Sequence, residues 1–430
     1  MSWFGTRRPI ASKTHAGCKI RSVSEHRQQN PLEFEDARRI VIDTVRSLNQ
    51  KDANESVDLE EAHGRVLAEA ALSDRDYPAL QRSLRDGYAV DSRSLPGVLK
   101  IRGEIRAGEE SQLELHSGEA LEIMTGAPVP PGANAVVMIE HTKREGEPGL
   151  ARVRIDQTAE PGQWVNPQGA EAKKGSVLIQ RGTRLDGSHV AALAMVGCRS
   201  VKVFERPTIA ILATGDEIVD LHEPVASHQI RNSNSYMLAA LVCAAGGQAT
   251  VLPVARDTKE ALREKLELGL SHDMLLVSGG VSAGKYDLVK PTLREFGVKF
   301  QFERVRVQPG QPTAFGTLGD KVIFGLPGNP GSTLVTYQLF ARAALELLAG
   351  QQEPILPLLS AAFEAPFKHK PGLTRFLPAR LSPDGQHLRH VPWQGSSDIP
   401  ALASANAFLV ADHDREHWAA GDTIRVMPKP

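Results

Sequence analysis

The chain has 430 residues, which is too long for one hydrophobic core and predicts about two to four domains. Hydrophobic residues make up 41% and charged residues 23%, and the net charge of -1 argues against a protein that tracks nucleic-acid phosphates. Cys18, Cys198 and Cys243 form no CxxC pair, so the sequence predicts neither a disulfide framework nor a zinc site.

The first segment, residues 1–30, is basic and lacks the apolar stretch that a signal peptide needs. We therefore predict a disordered basic tail. No apolar run approaches the roughly 20 residues that span a bilayer. Together with the cysteine content, these features predict a cytoplasmic protein with no membrane or nucleic-acid partner.

The N-terminal part of the chain mixes one helix with many short strands. Residues 32–49 have apolar residues at helical spacing, which predicts an amphipathic helix. Residues 55–70 and 82–160 hold short β-rich pieces between Gly, Pro and Asn turns, which is typical of an all-β or α+β module. Residues 183–199 again favour a helix.

From Pro207 onward, strand-like runs alternate with helices, which predicts an α/β layer with a mostly parallel sheet. After Gly350 we expect no further helices, only short strands of a small β-barrel or sandwich. The predicted strands are 208–213, 249–254, 273–278 and 321–325, and the predicted helices are 235–245, 258–269, 287–296 and 331–349.

Gly-rich turns follow three of the predicted strands. They are Thr214–Glu217, Ser278–Gly284 and Leu326–Pro330. Ligands of parallel sheets bind beyond the carboxyl ends of the strands, and glycines let the backbone N–H groups approach an anion. Such turns can also serve only to close tight corners. Three of them on one sheet favour an anion-binding site.

The second turn also resembles a nucleotide-binding phosphate loop. Gly279, Gly284 and Lys285 match the GxxxxGK spacing, but Tyr286 stands where Ser or Thr should ligate magnesium. An NTPase is therefore a disfavoured alternative.

Carboxylates cluster at the predicted strand ends. Asp216, Glu217, Asp257 and Asp287 could hold a divalent cation beside the anion, and oxygen ligands suit Mg²⁺. The structural alternative is that Asp257, with Glu260, forms a capping box and that Asp287 caps the next helix. The metal site is favoured only for the group as a whole.

These turns and carboxylates, together with several further segments, resemble the motifs of the molybdopterin molybdenumtransferases. By composition alone, the segments Ser83–Val90 and Met124–Glu140 could be structural turns. Both, however, match motifs of this family. The matching segments, in order, are Ser83–Val90, Met124–Glu140, Thr214–Glu217, Asn232–Asn234, Ser278–Asp287, Pro309–Pro312, Leu326–Pro330 and Gln394–Ser396.

The resemblance implies a multidomain α/β and β fold. A central three-layer α/β domain (residues 207–352) would bind molybdopterin through a mostly parallel sheet. The N-terminal region would be β-rich, and residues 353–430 would form a small β-barrel. The further boundaries are 1–30 for the tail, 31–54 with 160–206 for an elongated dimerisation domain, and 55–159 for a β-rich domain.

The implied activity is that of an enzyme, a molybdopterin molybdotransferase. It would insert molybdate into the dithiolene of adenylylated molybdopterin with Mg²⁺-dependent release of AMP. The implied assembly is a homodimer, in which the Asp86 and Thr125 region faces the partner's α/β domain. The molybdopterin adenylyltransferase becomes a candidate partner.

Site residues carry over position by position. The catalytic candidates are Asp86, Thr125, Glu217, Asp257 and Asp287, of which Glu217, Asp257 and Asp287 would hold the metal. The ligand-binding candidates are Thr214, Gly215, Asp216, Asn234, Ser278, Gly279, Gly280, Ser282, Gly284, Lys285, Pro309, Gly310, Pro327, Gly328, Asn329, Pro330, Arg375 and Ser396.

The chain departs from the family where cations are usual. Gln308 and Gln311 replace two lysines, and Arg85 stands where methionine is usual. Lys285, Arg85 or Arg306 could compensate. The alternative is a catalytically altered paralogue that binds molybdopterin or the finished cofactor without inserting metal.

Overall fold

The computed structural model describes residues 31–48, 52–108, 113–146, 151–281 and 287–429. The predicted basic tail, and the candidate residues Ser282, Gly284 and Lys285, lie outside these ranges. Helix α1 spans Phe34–Ser47, in agreement with the predicted first helix. Within the described ranges, no helix has the length and apolar character needed to cross a membrane.

The region after α1 is built from short strands, as the sequence predicts. Its six-stranded sheet has the order β7-β4-β6-β5-β9-β8, and β4, which lies between β7 and β6, is buried on both faces. The strands are β1 (Asn54–Asp58), β2 (Ala71–Leu72), β3 (Arg82–Ser83), β4 (Gly87–Val90), β5 (Gly97–Ile105), β6 (Glu119–Ile123), β7 (Ala135–Met138), β8 (Lys143–Glu145), β9 (Arg152–Ile155), β10 (Val165–Asn166), β11 (Val177–Ile179) and β12 (Ser200–Phe204).

Two-stranded pairs and one helix complete this half of the chain. The pairs β1–β12, β2–β11 and β3–β10 each join segments that are distant in sequence. Helix α2 spans Gly187–Met195 and begins at Asp186, whose carboxylate accepts hydrogen bonds from the backbone N–H groups of Ser188 and His189. This capping box fixes the start of the helix that the sequence predicts over 183–199.

The α/β region contains a six-stranded sheet with the order β16-β13-β17-β21-β20-β18. Its parallel strands β16, β13, β17 and β21 were predicted, but the antiparallel strands β18 and β20 were not. The strands of the region are β13 (Thr208–Ala213), β14 (Ile218–Val219), β15 (Ile230–Arg231), β16 (Gln248–Val251), β17 (Met274–Ser278), β18 (Lys299–Phe302), β19 (Val307–Gln308), β20 (Ala314–Leu318) and β21 (Lys321–Leu326).

Helices cover both faces of this sheet. They are α3 (Ser233–Ala244), α4 (Lys259–Gly269), α5 (Val289–Glu295), α6 (Pro330–Thr336) and α7 (Arg342–Leu348). A π-helical turn, Tyr337–Ala341, separates α6 from α7 in what the sequence predicts as one helix. The buried face of α1 joins the same core as β13, β17 and α7, and the Arg38 guanidinium donates to the carbonyl of Leu339 in the π turn.

The C-terminal strands close into a small barrel, because β24 pairs with β25 and also with β26. They are β22 (Leu359–Phe363), β23 (Phe367–Lys368), β24 (Thr374–Leu381), β25 (His387–His390), β26 (Ala407–Ala411), β27 (His417–Trp418) and β28 (Thr423–Pro428). The expectation of no helix after Gly350 is wrong. Helix α8 (Ile399–Ser404) forms because Asp398 caps it and accepts a hydrogen bond from the N–H of Ala401.

The predicted fold class is thus confirmed: a β-rich N-terminal region, a central α/β domain with a mostly parallel sheet, and a C-terminal β-barrel. The individual domain boundaries stay predictions.

Candidate functional site

The three predicted Gly-rich turns meet at one edge of the central sheet. Strands β13, β17 and β21 are neighbours, so their carboxyl ends lie side by side. The N–H of Thr214 donates to the carbonyl of Ser278 (3.1 Å), and the N–H of Gly279 donates to the carbonyl of Leu326 (3.1 Å). The turns enclose a cleft of about 280 Å³.

Most of the predicted α/β-domain residues line this cleft. The structure brings together Thr214, Gly215, Glu217, Asn234, Asp257, Ser278, Gly279, Gly280, Asp287, Gly328, Asn329 and Pro330. Among the described residues, the lining also includes the first residues of α3, starting at Asn232 and Ser233. Free N–H groups at a helix start favour a bound anion.

Gly279 and Gly280 are positions where only glycine fits. Both have a positive φ, 100° and 63°. A Cβ on Gly279 would lie 2.7 Å from the carbonyl oxygen of Thr214, and one on Gly280 would lie 2.7 Å from Cγ2 of Val289. The two residues therefore let the backbone of one turn pack directly against the turn after β13.

Asn234 joins the second and third turns beneath the cleft. Its Nδ2 donates to Oγ of Ser278 (2.9 Å) and to the carbonyl of Gly328 (2.6 Å). Its Oδ1, and the hydroxyl of Thr214, are buried and have no hydrogen-bond partner in the described part of the chain. Buried polar atoms without partners are costly, so both are candidates to bind a ligand in the cleft.

The carboxylates Glu217, Asp257 and Asp287 all line the cleft. Burial, followed by the negative charges of Asp216 and Glu217, raises the pKa of Asp257 above its ordinary value, and Asp287 adds to the effect. Asp216 Oδ1 also accepts a hydrogen bond from the N–H of Asp257 (3.2 Å). Burial and the neighbouring carboxylates both disfavour the charged form of Asp257, and a cation bound beside it would favour that form.

The capping alternatives for these carboxylates are wrong. Helix α4 is capped by Thr258, whose hydroxyl accepts a hydrogen bond from the N–H of Ala261, and not by Asp257. The N-cap position of α5 is Leu288 and not Asp287. Neither acid is therefore explained by a role as the N-cap of the helix that follows it.

Asp86 and Thr125 form a second cluster, in the β4 sheet region. The backbone N–H and the hydroxyl of Thr125 both donate to Oδ1 of Asp86, at 2.6 Å and 2.9 Å. These two bonds hold the pKa of Asp86 below its ordinary value, so this exposed carboxylate is ionised at neutral pH. The residues are not part of the described lining of the cleft.

The remaining predicted residues lie around the cleft. Ser396 Oγ accepts a hydrogen bond from Nδ2 of Asn329 (2.9 Å), and the carbonyl of Pro327 accepts one from Thr333 (2.6 Å). Pro309 and Gly310 follow β19, which pairs Gln308 with Arg375. Arg375 has a buried Nε with no hydrogen-bond partner among the described residues.

Sequence reasoning missed Arg231, whose side chain is cationic and lines the cleft at the end of β15. The available signal was its position directly before the matched segment Asn232–Asn234. Of the proposed compensating cations, Arg306 is engaged elsewhere. It pairs with Glu33 (Nε–Oε1 2.6 Å) and donates to the carbonyl of Gly372 (2.8 Å).

The fold has a cleft at the strand ends of an α/β domain, which is the usual ligand-binding position in this class of fold. Three family models match the chain in order. "MoeA N-terminal region (domain I and II)" matches residues 32–197, "Probable molybdopterin binding domain" matches 210–347, and "MoeA C-terminal region (domain IV)" matches 360–429.

Curated relatives and a solved structure agree. A molybdopterin molybdenumtransferase of Nostoc sp. is 36% identical over 92% of this chain and 93% of its own length. The Bacillus subtilis protein of that name is 33% identical over 87% of this chain and 89% of its own. The molybdopterin biosynthesis moeA protein of Pyrococcus horikoshii superimposes with a TM-score of 0.76 at 28% identity, covering 93% of this chain and 100% of its own.

The chain belongs to the molybdopterin molybdenumtransferase (MoeA) family, an enzyme family of molybdenum cofactor biosynthesis.

Proposed function

We propose that the protein inserts molybdate into the dithiolene of adenylylated molybdopterin, with Mg²⁺-dependent release of AMP. The observation that carries the proposal is the cleft, where glycine turns on three neighbouring strands lie beside three carboxylates. The curated relatives bear the name of this transferase. Both the nucleotide substrate and molybdate are anions, which suits backbone donors and a metal in one cleft.

The phosphate end of the substrate would lie on the second turn. The N–H group of Gly280, the hydroxyl of Thr214 and the start of α3 would supply donors there. Arg231 adds the positive charge that the described lining otherwise lacks. Ser282, which lies outside the described residues, would also contact the phosphate in this hypothesis.

Mg²⁺ fits the donor set of the cleft. Among the described residues, no group of three or more carboxylate, His or Cys side chains could hold a metal by itself. Mg²⁺, however, commonly takes one or two carboxylates together with substrate phosphates and water. Glu217, Asp257 and Asp287 would hold it together with the substrate phosphates, and its charge would oppose the burial and the carboxylate charges that raise the pKa of Asp257. When bound, Mg²⁺ would supply Lewis-acid stabilisation of the cleaved phosphoanhydride.

The protein's own groups would mainly position the reactants. Asn234 hydrogen-bonds to both the second and the third turn, through Ser278 and Gly328. These bonds would fix the phosphate donors of the second turn relative to the third. Because insertion needs molybdate held against the dithiolene, fixed geometry is the main contribution. Arg375 and Ser396 would contact the substrate from the barrel side.

We propose further that the active form is a cytoplasmic homodimer. In it, Asp86 and Thr125 of one chain would face the cleft of the other. The substrate would come from the molybdopterin adenylyltransferase, which makes that enzyme a candidate partner.

The test is incubation of the purified protein with adenylylated molybdopterin, Mg²⁺ and molybdate. AMP release coupled to active cofactor supports the proposal. Tight binding without AMP release would support the non-catalytic paralogue instead, which the neutral Gln308 and Gln311 favour. Hydrolysis of ATP would support an NTPase.

A further inference from the structure

Arg85 and Trp164 form a stacked pair on the surface beside Asp86. The guanidinium carbon of Arg85 lies 4.8 Å from the centre of the Trp164 ring. Trp164 has a φ of 56°, and within the described ranges no other non-glycine residue has a positive φ. A bulky residue in this conformation is strained, and such strain concentrates at functional sites.

The backbone holds the pair in place. Strands β3 and β10 pair Ser83 with Val165, and the N–H of Leu84 donates to the carbonyl of Trp164 (2.9 Å). The hydroxyl of Ser83 donates to the carbonyl of Arg85 (2.6 Å). Both stacked residues are therefore fixed at their Cα positions, and the guanidinium lies over the indole of its neighbour.

The guanidinium edge of Arg85 has no carboxylate partner in the described part of the chain. Asp86 follows it directly, but Oδ1 of Asp86 is taken by the two hydrogen bonds from Thr125. The indole covers one face of the guanidinium and leaves its N–H edge for another acceptor. That edge has the planar geometry that matches a phosphate.

The described lining of the cleft carries more negative than positive side chains. It offers Arg231 against Glu217, Asp257 and Asp287, while Gln308 and Gln311 are neutral. Arg306 is held by Glu33. A nucleotide substrate adds further negative charge, so an additional cation beside the cleft would strengthen its binding.

We propose that Arg85, held flat on Trp164, binds the adenylyl phosphate of the substrate. The inference rests on the proposed function, in which the Asp86 region of one chain completes the cleft of its partner. Trp164 acts as a positioning residue, because its ring holds the guanidinium in place. Arg85 thereby supplies positive charge in place of the two lysines that Gln308 and Gln311 replace.

AMP, the nucleotide product, is the probe for this proposal. Calorimetry on the full chain should show that Arg85→Met weakens AMP binding by about tenfold or more and flattens its salt dependence. Arg85→Lys should recover part of the affinity, because it keeps the charge but loses the planar fork. The AMP affinity of Trp164→Leu should lie between those of Arg85→Met and Arg85→Lys.

Arg82→Met is the matched control, because Arg82 is an exposed arginine on β3, and it should leave AMP affinity unchanged. In turnover, Arg85→Met should raise KM and leave kcat nearly unchanged. Wild-type affinity in Arg85→Met, or an equal loss in Arg82→Met, would overturn the proposal. If the wild type never releases AMP but Arg85→Met still weakens AMP binding, the proposed reaction fails and the Arg85 contact stands.

Discussion

The cleft of the α/β domain and the Asp86 surface of the β4 sheet hold their polar groups in different ways. In the cleft, Thr214 and Asn234 are buried behind strand ends, and the turns are locked by glycines. On the Asp86 surface, Arg85, Asp86 and Trp164 are exposed and are fixed only in pairs. The polar groups of the cleft are thus held in place by the fold of one chain, whereas the charged groups of the Asp86 surface face outward.

The difference predicts different responses to mutation. Changes in the cleft should disturb chemistry, and deep ones should also disturb folding. Changes on the Asp86 surface should disturb activity while leaving the fold intact.

The largest effect is expected for Glu217→Gln, which removes a carboxylate from the cleft at nearly constant shape. Metal insertion and AMP release should fall by about 100-fold or more, because a preorganised charge is lost. The melting temperature should stay at the wild-type value. Glu223→Gln, an exposed change in the loop between β14 and β15, is the control and should keep full activity. A fully active Glu217→Gln enzyme would remove Glu217 from the mechanism.

Asn234→Asp should affect both function and folding. A carboxylate cannot donate to Ser278 or Gly328, so buried hydrogen bonds are lost, at a cost of about 1–3 kcal/mol in unfolding free energy. The added negative charge should also weaken AMP binding. Chemical denaturation and calorimetry measure the two effects. A variant as stable as the wild type would show that Asn234 does not hold the turns together.

Thr125→Val should have a moderate effect, confined to activity. It removes the hydroxyl donor to Asp86 and keeps the N–H donor, so the pKa of Asp86 should rise toward its ordinary value. We expect activity to fall about tenfold, with an unchanged melting temperature. Thr125→Ser keeps the hydroxyl and should stay near wild-type activity. Carboxyl titration by NMR checks the pKa, and an unmoved pKa would contradict the assignment.

Asp186→Ala should change stability only. Hydrogen bonds from Ser188 and His189 lower the pKa of Asp186 to about 2. Since the folded-state pKa is depressed, the stabilisation is present above the unfolded pKa of about 3.9 and disappears as the pH falls toward 2. The wild type should therefore melt higher than the variant at neutral pH, and the gap should close in acid. AMP release should be unchanged, and a loss of it would show that the site extends to α2.

The strand ends of the site were predictable because the local sequence pattern there determines both the strand and the turn. Strands β13, β17 and β21 are continuous apolar runs followed by glycine turns, which is typical of buried parallel strands with ligand loops. Strands β18 and β20 were missed because their pairing with each other and with β21 is set by tertiary contacts rather than by a strong local pattern.

Other features depend on geometry that no local pattern encodes. The capping expectation for Asp257 failed because the next residue, Thr258, has a hydroxyl that reaches the N–H of Ala261. The π turn in the last long helix packs against α1, where the Arg38 guanidinium donates a hydrogen bond to the carbonyl of Leu339, and this long-range contact has no local sequence signal. The positive φ of Trp164 and the position of Arg231 in the cleft became visible only in the folded chain.

Mixing two inactive variants tests most directly whether the cleft and the Asp86 surface form one site across a dimer. Chains carrying Glu217→Gln and chains carrying Asp86→Asn would be unfolded together, refolded and assayed for AMP release. If the two regions act across the dimer, each hybrid contains one intact site and random pairing restores about a quarter of wild-type activity. A mixture that stays inactive would contradict the account, because it would place both residues in the site of a single chain.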